Sequence, residues 1–311
     1  MTAGVSISLF QRAAAAFAAS VPADPADDGF FGPRSVTWRV SADLSAPVAG
    51  LRSLLLQALH PLAMAGVDQH SDWRADPGAR FASTSAYVVT TTYGDKATAR
   101  AAAARVRKIH DTVHGTDTVT GQPYDANDPA LLLWVHAGLV DSGLAACRLY
   151  GAPLPAEQAD RYVAEMTAAA ELIGVPAGMA PASVAELDAY FAGVRPALAS
   201  SASTADTATY LLGMPDVEPE LAEVWVVLAA ASAASLPDWA RELHGFGDHD
   251  FGGKVPPERE PVRQVLGVLD AVYLGEPGVL EARQRLTLRM RASESQSSEK
   301  QSSESRASES R

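Results

Sequence analysis

The sequence predicts an all-α protein built as one large helical domain. Residues that start and stop helices recur between about positions 41 and 288, alternating strand patterns are scarce, and no repeat of the solenoid kind is present. The 311 residues are 47% hydrophobic, so the chain can bury a sizeable core. We place the domain at residues 32–288, between an N-terminal extension of residues 1–31 and a Ser/Glu-rich tail of residues 289–311. The tail has little apolar surface and is predicted to be disordered.

The first predicted helices surround a proline. The stretch "LSAPVAGLRSLLLQALHPLAMAG" is apolar enough for a central helix, which Pro61 should kink or split and Gly66 should end. The stretch "DPGARFASTSAYVVTTTYG" begins with Asp-Pro, a helix start, and is predicted to be helical up to Gly94. Asp95 then has the position of an N-cap for a helix that closes at Gly115.

Turn residues in "GTDTVTGQPYDAND" predict a loop or a small hairpin before the next helix. That helix should begin with Asp128 and Pro129 and end at Gly151. Ser183 and Glu186 have the spacing of a capping box and predict another helix start. Four further helices are predicted, at 156–173, 183–199, 218–234 and 261–273.

Charge and composition exclude several kinds of function. The formal charge of −12 and the pI of about 5.0 oppose nucleic-acid binding, which needs a basic surface. A single cysteine, Cys147, excludes an internal disulfide framework and cysteine-based metal sites, and it fits a reducing compartment. Arg12 interrupts the apolar start of the chain, and no apolar run is long enough to predict a membrane span. We therefore expect a cytoplasmic protein, with secretion as the less favoured alternative.

The stretch "VRKIHDTVHG" admits three interpretations. Cationic side chains near a helix C-terminus are favoured by the helix dipole. His110 and His114 have the spacing of a metal-binding pair, although no third ligand is evident. Alternatively, one imidazole on a partly apolar face could be an axial ligand of haem iron, provided that a second helix closes the opposite side.

A candidate for that second helix contains "RFAST", in which Arg80 and Thr84 share one helix face. These side chains could hydrogen-bond a bound oxygen species or hold a carboxylate. The structural alternative is that Arg80 pairs with Asp76 and that the Thr84 hydroxyl bonds back to the carbonyl of Arg80. The residues alone leave both interpretations open.

Read together, the segments "HPLAMAGVDQHS", "RFAST", "VRKIH…VHG" and "GQPYDANDPALLLWVHAGLVDS" resemble a known family. This is the bacterial and fungal family that contains latex-clearing protein, a rubber oxygenase, and the MpaB oxygenase of mycophenolic acid biosynthesis. The resemblance extends over about residues 32–275. It is the order of the four segments that is specific, since no single segment would identify the family.

The resemblance implies an all-α fold with a globin-like core and a non-covalent haem b. It implies that His110 is the proximal iron ligand, that Arg107 lies one turn before it as a partner of a haem propionate or another carboxylate, and that Arg80 and Thr84 lie on the distal side. Dioxygen and a small apolar, unsaturated compound are the implied substrates. Two positions depart from the family: Ser83 stands where some rubber oxygenases have lysine, and Gly138 where threonine is common.

Two more histidines are candidate haem contacts. His60 and His136 lie in the matching segments, but for each a packed, hydrogen-bonded core histidine is the favoured interpretation. We interpret Cys147 as a small buried apolar residue rather than an iron ligand, and Asp248, His249 and Asp250 as a solvated loop. The leading hypothesis is a haem-b oxygenase. The alternatives are a haem peroxidase or haem-binding protein without oxygenase activity, and a helical binding protein without a cofactor.

Overall fold

The structure is a computed structural model that describes residues 9–71, 77–213, 221–247, 258–276 and 278–309. In these parts of the chain the fold consists of helices, apart from one two-stranded hairpin. The helices in chain order are α1 (Leu9–Ser20), α2 (Val36–Ser41), α3 (Ala46–Gln57), α4 (Pro61–His70), α5 (Pro77–Tyr93), α6 (Lys96–His110), α7 (Pro129–Leu149), α8 (Ala156–Ile173), α9 (Val184–Val194), α10 (Ala202–Gly213), α11 (Ala222–Ala234), α12 (Asp238–His244), α13 (Arg259–Gly275) and α14 (Val279–Glu309). The strands are β1 (His114–Thr116) and β2 (Pro123–Asp125), and a short 3-10 helix, Arg195–Ala197, follows α9. The prediction of an all-α single domain is confirmed.

The core surrounds helix α7, which packs against α3 on one side and α8 on the other. Leu55, Trp134 and Leu228, from α3, α7 and α11, are fully buried in one continuous apolar cluster. Helix α7 is long and apolar enough to cross a membrane, but 72% of its apolar window is buried inside the protein. Such burial is expected for the core helix of a globular domain.

Three of the predicted helix starts are confirmed by their capping hydrogen bonds. The Asp95 carboxylate accepts from the backbone N–H of Thr98, and the Asp128 carboxylate accepts from Ala130 N–H. The Ser183 hydroxyl accepts from Glu186 N–H. These bonds form within three residues of the cap, so local sequence is sufficient to predict them.

Pro61 splits the predicted central helix, as expected. Helices α3 and α4 meet at an angle of 100°, and His60 is the extended N-cap residue between them. The prediction that Gly66 ends the second helix is wrong, because α4 continues to His70. Gly66 packs against Val113 and Tyr124 of the hairpin region, where a Cβ atom would make ordinary contacts at 3.4 and 3.7 Å.

Helix α6 was predicted to close at Gly115, but it ends at His110. Beyond that point the chain turns and residues 114–116 pair antiparallel with residues 123–125. The predicted small hairpin is thus confirmed, and His114 lies in its first strand rather than at a helix end. The second strand begins only seven residues after Thr116, and pairing with it takes residues 114–116 out of the helix.

Both terminal segments pack onto the domain. Helix α1 lies against α5, with Ala13 and Ala14 buried. Helix α14 runs through the segment for which the sequence predicted an irregular tail. The guanidinium of Arg289 lies 4.7 Å from the ring centre of Trp38 and donates to the carbonyl of Tyr93. Residues 289–309 contain no proline or glycine that would end the helix.

Candidate functional site

Helices α5 and α6 bring together two of the predicted site residues. Gly94 and Asp95 join the helices in a sharp turn, and the two helices pack against each other. Because the helices have similar lengths, the first turns of α5 return to the level of the last turn of α6. Arg80 is consequently close enough to His110 for its charge to lower the pKa of that imidazole.

His110 is the last residue of α6 and is half-buried. Burial is the main cause that lowers its pKa, followed by the charge of Arg80, while the nearby carboxylates of Asp111 and Asp125 act in the opposite direction. The imidazole is therefore neutral near pH 7, with one ring nitrogen unprotonated. Its Nδ1 atom is buried and has no hydrogen-bond partner among the described residues.

Arg80 and Arg107 present two cationic groups near this imidazole. Both side chains are exposed, and neither has an ion-pair partner within the described ranges. The charge of Arg107 acts on Tyr87 of α5, and its side chain runs past Gly174 at the end of α8. Asp76, the alternative partner predicted for Arg80, lies outside the described residues.

The hydroxyl of Thr84 has the local partner that the structural interpretation predicts. It donates to the carbonyl of Arg80 at 3.1 Å, as helical threonines often do. Thr84 can still accept a hydrogen bond, but it must rotate before it can donate to a ligand. The neighbouring Ser83 is exposed.

His60 lies at the junction of α3 and α4 and is 8% exposed. Its ring centre is 5.8 Å from that of Trp134, and its Nδ1 is buried without a partner in the described parts of the chain. Burial is the main cause that lowers its pKa. A neutral imidazole with an unsatisfied nitrogen is compatible with both interpretations of His60.

His136 is buried inside α7, and burial lowers its pKa to about 4. A buried, neutral imidazole at this position is compatible with a packed core histidine and with a haem contact.

Gly138, the second departure from the family pattern, lies against Gln57 at the end of α3. A Cβ atom at Gly138 would be 3.3 Å from Cγ of Gln57. The side-chain amide of Gln57 also donates to the carbonyl of Val135 at 3.2 Å, and the backbone carbonyl of Gln57 accepts from the indole of Trp134. The space that a larger side chain would need is therefore taken by a residue that joins α3 to α7.

The other candidate ligands do not form metal sites in the described parts of the chain. No group of three or more His, Cys, Asp or Glu residues converges there, and His114 lies in a different element from His110. Burial raises the pKa of the Cys147 thiol to about 11, which opposes a thiolate ligand. The loop residues 248–250 lie outside the described residues.

Comparison with known proteins identifies the domain. Residues 38–269 match a family model described as "ER-bound oxygenase mpaB/B'/Rubber oxygenase, catalytic domain", which covers well over half of the chain. The chain belongs to this oxygenase family. An oxygenase-type domain, and hence an oxidoreductase, is what the sequence predicted. A search of curated proteins and a search of solved structures each returned no match.

Two features of this oxygenase domain were missed by sequence reasoning. The end of the segment "WVHAGLVDS" is structural, because Asp141 and Ser142 both contact the buried guanidinium of Arg52. Asn127, in the loop between β2 and α7, interacts with His110. The only sequence signal at Asn127 was the density of turn residues in "YDAND", which indicates a loop and no more.

Proposed function

We propose that the protein is a haem-b-dependent oxygenase, with His110 as the proximal iron ligand and an apolar, unsaturated compound as its substrate. The observation that carries this proposal is the state of His110: a neutral, half-buried imidazole within electrostatic reach of Arg80. A neutral imidazole is the form that binds iron. Membership in an oxygenase family supplies the reaction class.

The charges around His110 fit the group. Haem b carries propionates, and Arg107 provides a guanidinium group without an ion-pair partner among the described residues. A guanidinium binds a carboxylate in a planar, bidentate manner. We assign Arg107 to a propionate, since it lies on the same helix as His110 and one turn before it. Arg80 comes from the other helix and has the distal role.

Haem iron held by His110 would supply the centre at which dioxygen binds and is activated. Arg80 would donate hydrogen bonds to an oxygen atom on the distal side, because a guanidinium is a donor that stays charged at neutral pH. Thr84 would assist only after its hydroxyl leaves the carbonyl of Arg80. His60 and His136 are neutral at pH 7 and would contribute imidazole surface beside the group, without added charge.

The visible spectrum after haem reconstitution tests the ligand assignment. The wild-type chain should show a Soret band of a histidine-ligated haem and retain it through gel filtration. His110→Ala should lose the bound haem, whereas His114→Ala, four residues along and exposed, should bind as the wild type does. A wild-type chain that binds no haem, or a His110→Ala variant with an unchanged spectrum, would contradict the proposal.

Oxygen consumption separates an oxygenase from a haem peroxidase or a haem-binding protein. The loaded protein should consume dioxygen only when an unsaturated apolar compound, such as a short polyisoprene, is present. Arg80→Ala should lower this rate and leave the Soret band in place. Turnover with peroxide but without dioxygen uptake would favour the peroxidase alternative. A cytoplasmic location is part of the proposal and is supported by the single, unpaired cysteine.

A further inference from the structure

We propose that Asn127 is the residue that positions His110, by holding its imidazole in the Nδ1–H tautomer and so presenting Nε2 as the ligand nitrogen. This inference rests on the proposed function for the role of His110. Its structural part concerns two side chains of this chain and can be tested without haem. Asn127 does not itself touch the reacting atoms, so its role is to position.

The orientation of the Asn127 amide is fixed by its neighbours. Its Nδ2 donates to the carbonyl of Arg107 at 3.3 Å and to the carboxylate of Asp111 at 2.9 Å. Both partners are acceptors, so a flipped amide would place Oδ1 against two oxygen atoms. The backbone is fixed as well, because Asn127 N–H donates to the Asp125 carboxylate at 2.8 Å. Oδ1 must therefore be directed away from these oxygens.

The Oδ1 atom is buried and has no hydrogen-bond partner in the described structure, and the same holds for Nδ1 of His110. The two atoms belong to groups around the same helix turn, since Asn127 bonds to the residues three before and one after His110. An unsatisfied buried acceptor and an unsatisfied buried donor are both costly. Asn127 Oδ1 needs a donor, and a protonated Nδ1 of His110 would supply one.

An amide oxygen can only accept, so a ring nitrogen paired with it must carry the proton. A proton on Nδ1 leaves the lone pair of the neutral ring on Nε2. Asn127 lies within interaction range of His110.

The tautomer can be read directly from the full-length chain before haem is added. Long-range ¹H–¹⁵N correlation spectra, recorded at about pH 8, well above the ordinary histidine pKa, distinguish a protonated from an unprotonated ring nitrogen. The signals of His110 are assigned as those that disappear in His110→Gln. The wild type should have Nδ1 protonated, and Asn127→Ala should lose this tautomer as the main form.

Two further variants separate positioning from a merely structural role. Asn127→Asp keeps an acceptor oxygen but loses the donors to Arg107 and Asp111, so it should be destabilised like Asn127→Ala and yet retain the Nδ1–H tautomer. Gln122→Ala removes an exposed amide from the same hairpin and should change neither property. In Soret titrations, Asn127→Ala should bind haem about 10- to 100-fold more weakly than the wild type, as is usual when the partner of a ligating histidine is removed.

The outcomes distinguish this inference from the proposed function. A wild-type His110 that is protonated on Nε2, or an Asn127→Ala variant that keeps Nδ1–H, would overturn the role of Asn127 even if haem binds through His110. Asn127→Asp switching its tautomer together with Asn127→Ala would also overturn it. Conversely, the predicted tautomers combined with unchanged haem binding by His110→Ala would leave the positioning intact and contradict the ligand assignment.

Discussion

The ion pair between Arg52 and Asp141 predicts a large loss of stability when only one of its charges is removed. Arg52 is 3% exposed. Its guanidinium contacts the carboxylate of Asp141 at 2.6 Å, the hydroxyl of Ser142 at 2.8 Å and the carbonyl of Ser235 at 3.1 Å. These contacts join α3 and α7 to the residue that follows α11. The end of "WVHAGLVDS" therefore holds core helices together.

The substitution Arg52→Met retains an apolar stem of similar length and removes the charge. It leaves a carboxylate without its cation and two buried polar groups without their donor. Removing one partner of a buried pair costs about 3–5 kcal/mol. The side chain of Asp141 is 26% exposed and can regain some water. We therefore expect the lower end, about 3 kcal/mol, which is roughly a 100-fold change in the unfolding equilibrium.

A double-mutant cycle followed by urea denaturation and circular dichroism measures this coupling. Asp141→Leu should cost at least as much as Arg52→Met, because it leaves the more deeply buried charge unpaired. The double variant should be more stable than the sum of the two losses predicts, by about 2 kcal/mol. As a control, Arg161→Met removes an exposed arginine beside Glu165, whose carboxylate keeps its hydrogen bonds from the backbone N–H and hydroxyl of Thr37, and should cost less than about 1 kcal/mol. Additive losses in the cycle would refute the reasoning.

Three other properties follow from burial. Folding lowers the pKa of His136 to about 4, so the unfolded chain binds a proton at higher pH than the folded chain does. The free energy of unfolding should therefore fall as the pH drops from about 6.5 towards 4, by up to about 3 kcal/mol. In urea titrations at successive pH values, His136→Leu should flatten this fall, whereas the exposed His114→Leu should follow the wild type. Cys147 is 3% exposed and its pKa is raised to about 11, so iodoacetamide should label it at neutral pH only in denaturant, and rapid labelling of the native protein would contradict its burial. A Cβ at Gly143 would lie 2.7 Å from the buried Tyr162 hydroxyl, while one at Gly50 would meet nothing within 4 Å. In thermal melts, Gly143→Ala should therefore be destabilised, whereas Gly50→Ala should be stabilised by about 0.5–1 kcal/mol. Equal effects of the two substitutions would contradict the packing.

Sequence reasoning located the helix starts because the capping chemistry is local. Asp95, Asp128 and Ser183 each bond to a backbone N–H two or three residues ahead, so the pattern contains the whole interaction. The split at Pro61 was predictable for the same reason. The helix ends at Gly66 and Gly115 were predicted wrongly, because α4 continues to His70 and α6 ends at His110, before the local hairpin.

The candidate site was predictable only as a set of separate residues. Residue spacing predicted that Arg80 and Thr84 share a face of one helix and that Arg107 and His110 share a face of the next helix. No sequence pattern indicated that these two faces lie close together. Their proximity comes from the turn at Gly94 and from the similar lengths of α5 and α6. The family resemblance suggested a role for each of these residues. The structure adds their burial and their neighbouring side chains.

The loop between β2 and α7 holds the end of the "VRKIH" segment next to the helix that contains "WVHA". Its Asn127 bonds the end of α6 and its Asp128 caps the start of α7, while Ala126 N–H donates to the carbonyl of Val113. One short loop therefore fixes the last turn of the helix that bears His110 relative to the core helix. The hairpin tip at 118–121 is exposed and has no such role. It follows that a residue inserted at the tip should be tolerated, whereas one inserted between Asp125 and Asn127 would separate the imidazole from the amide that holds it.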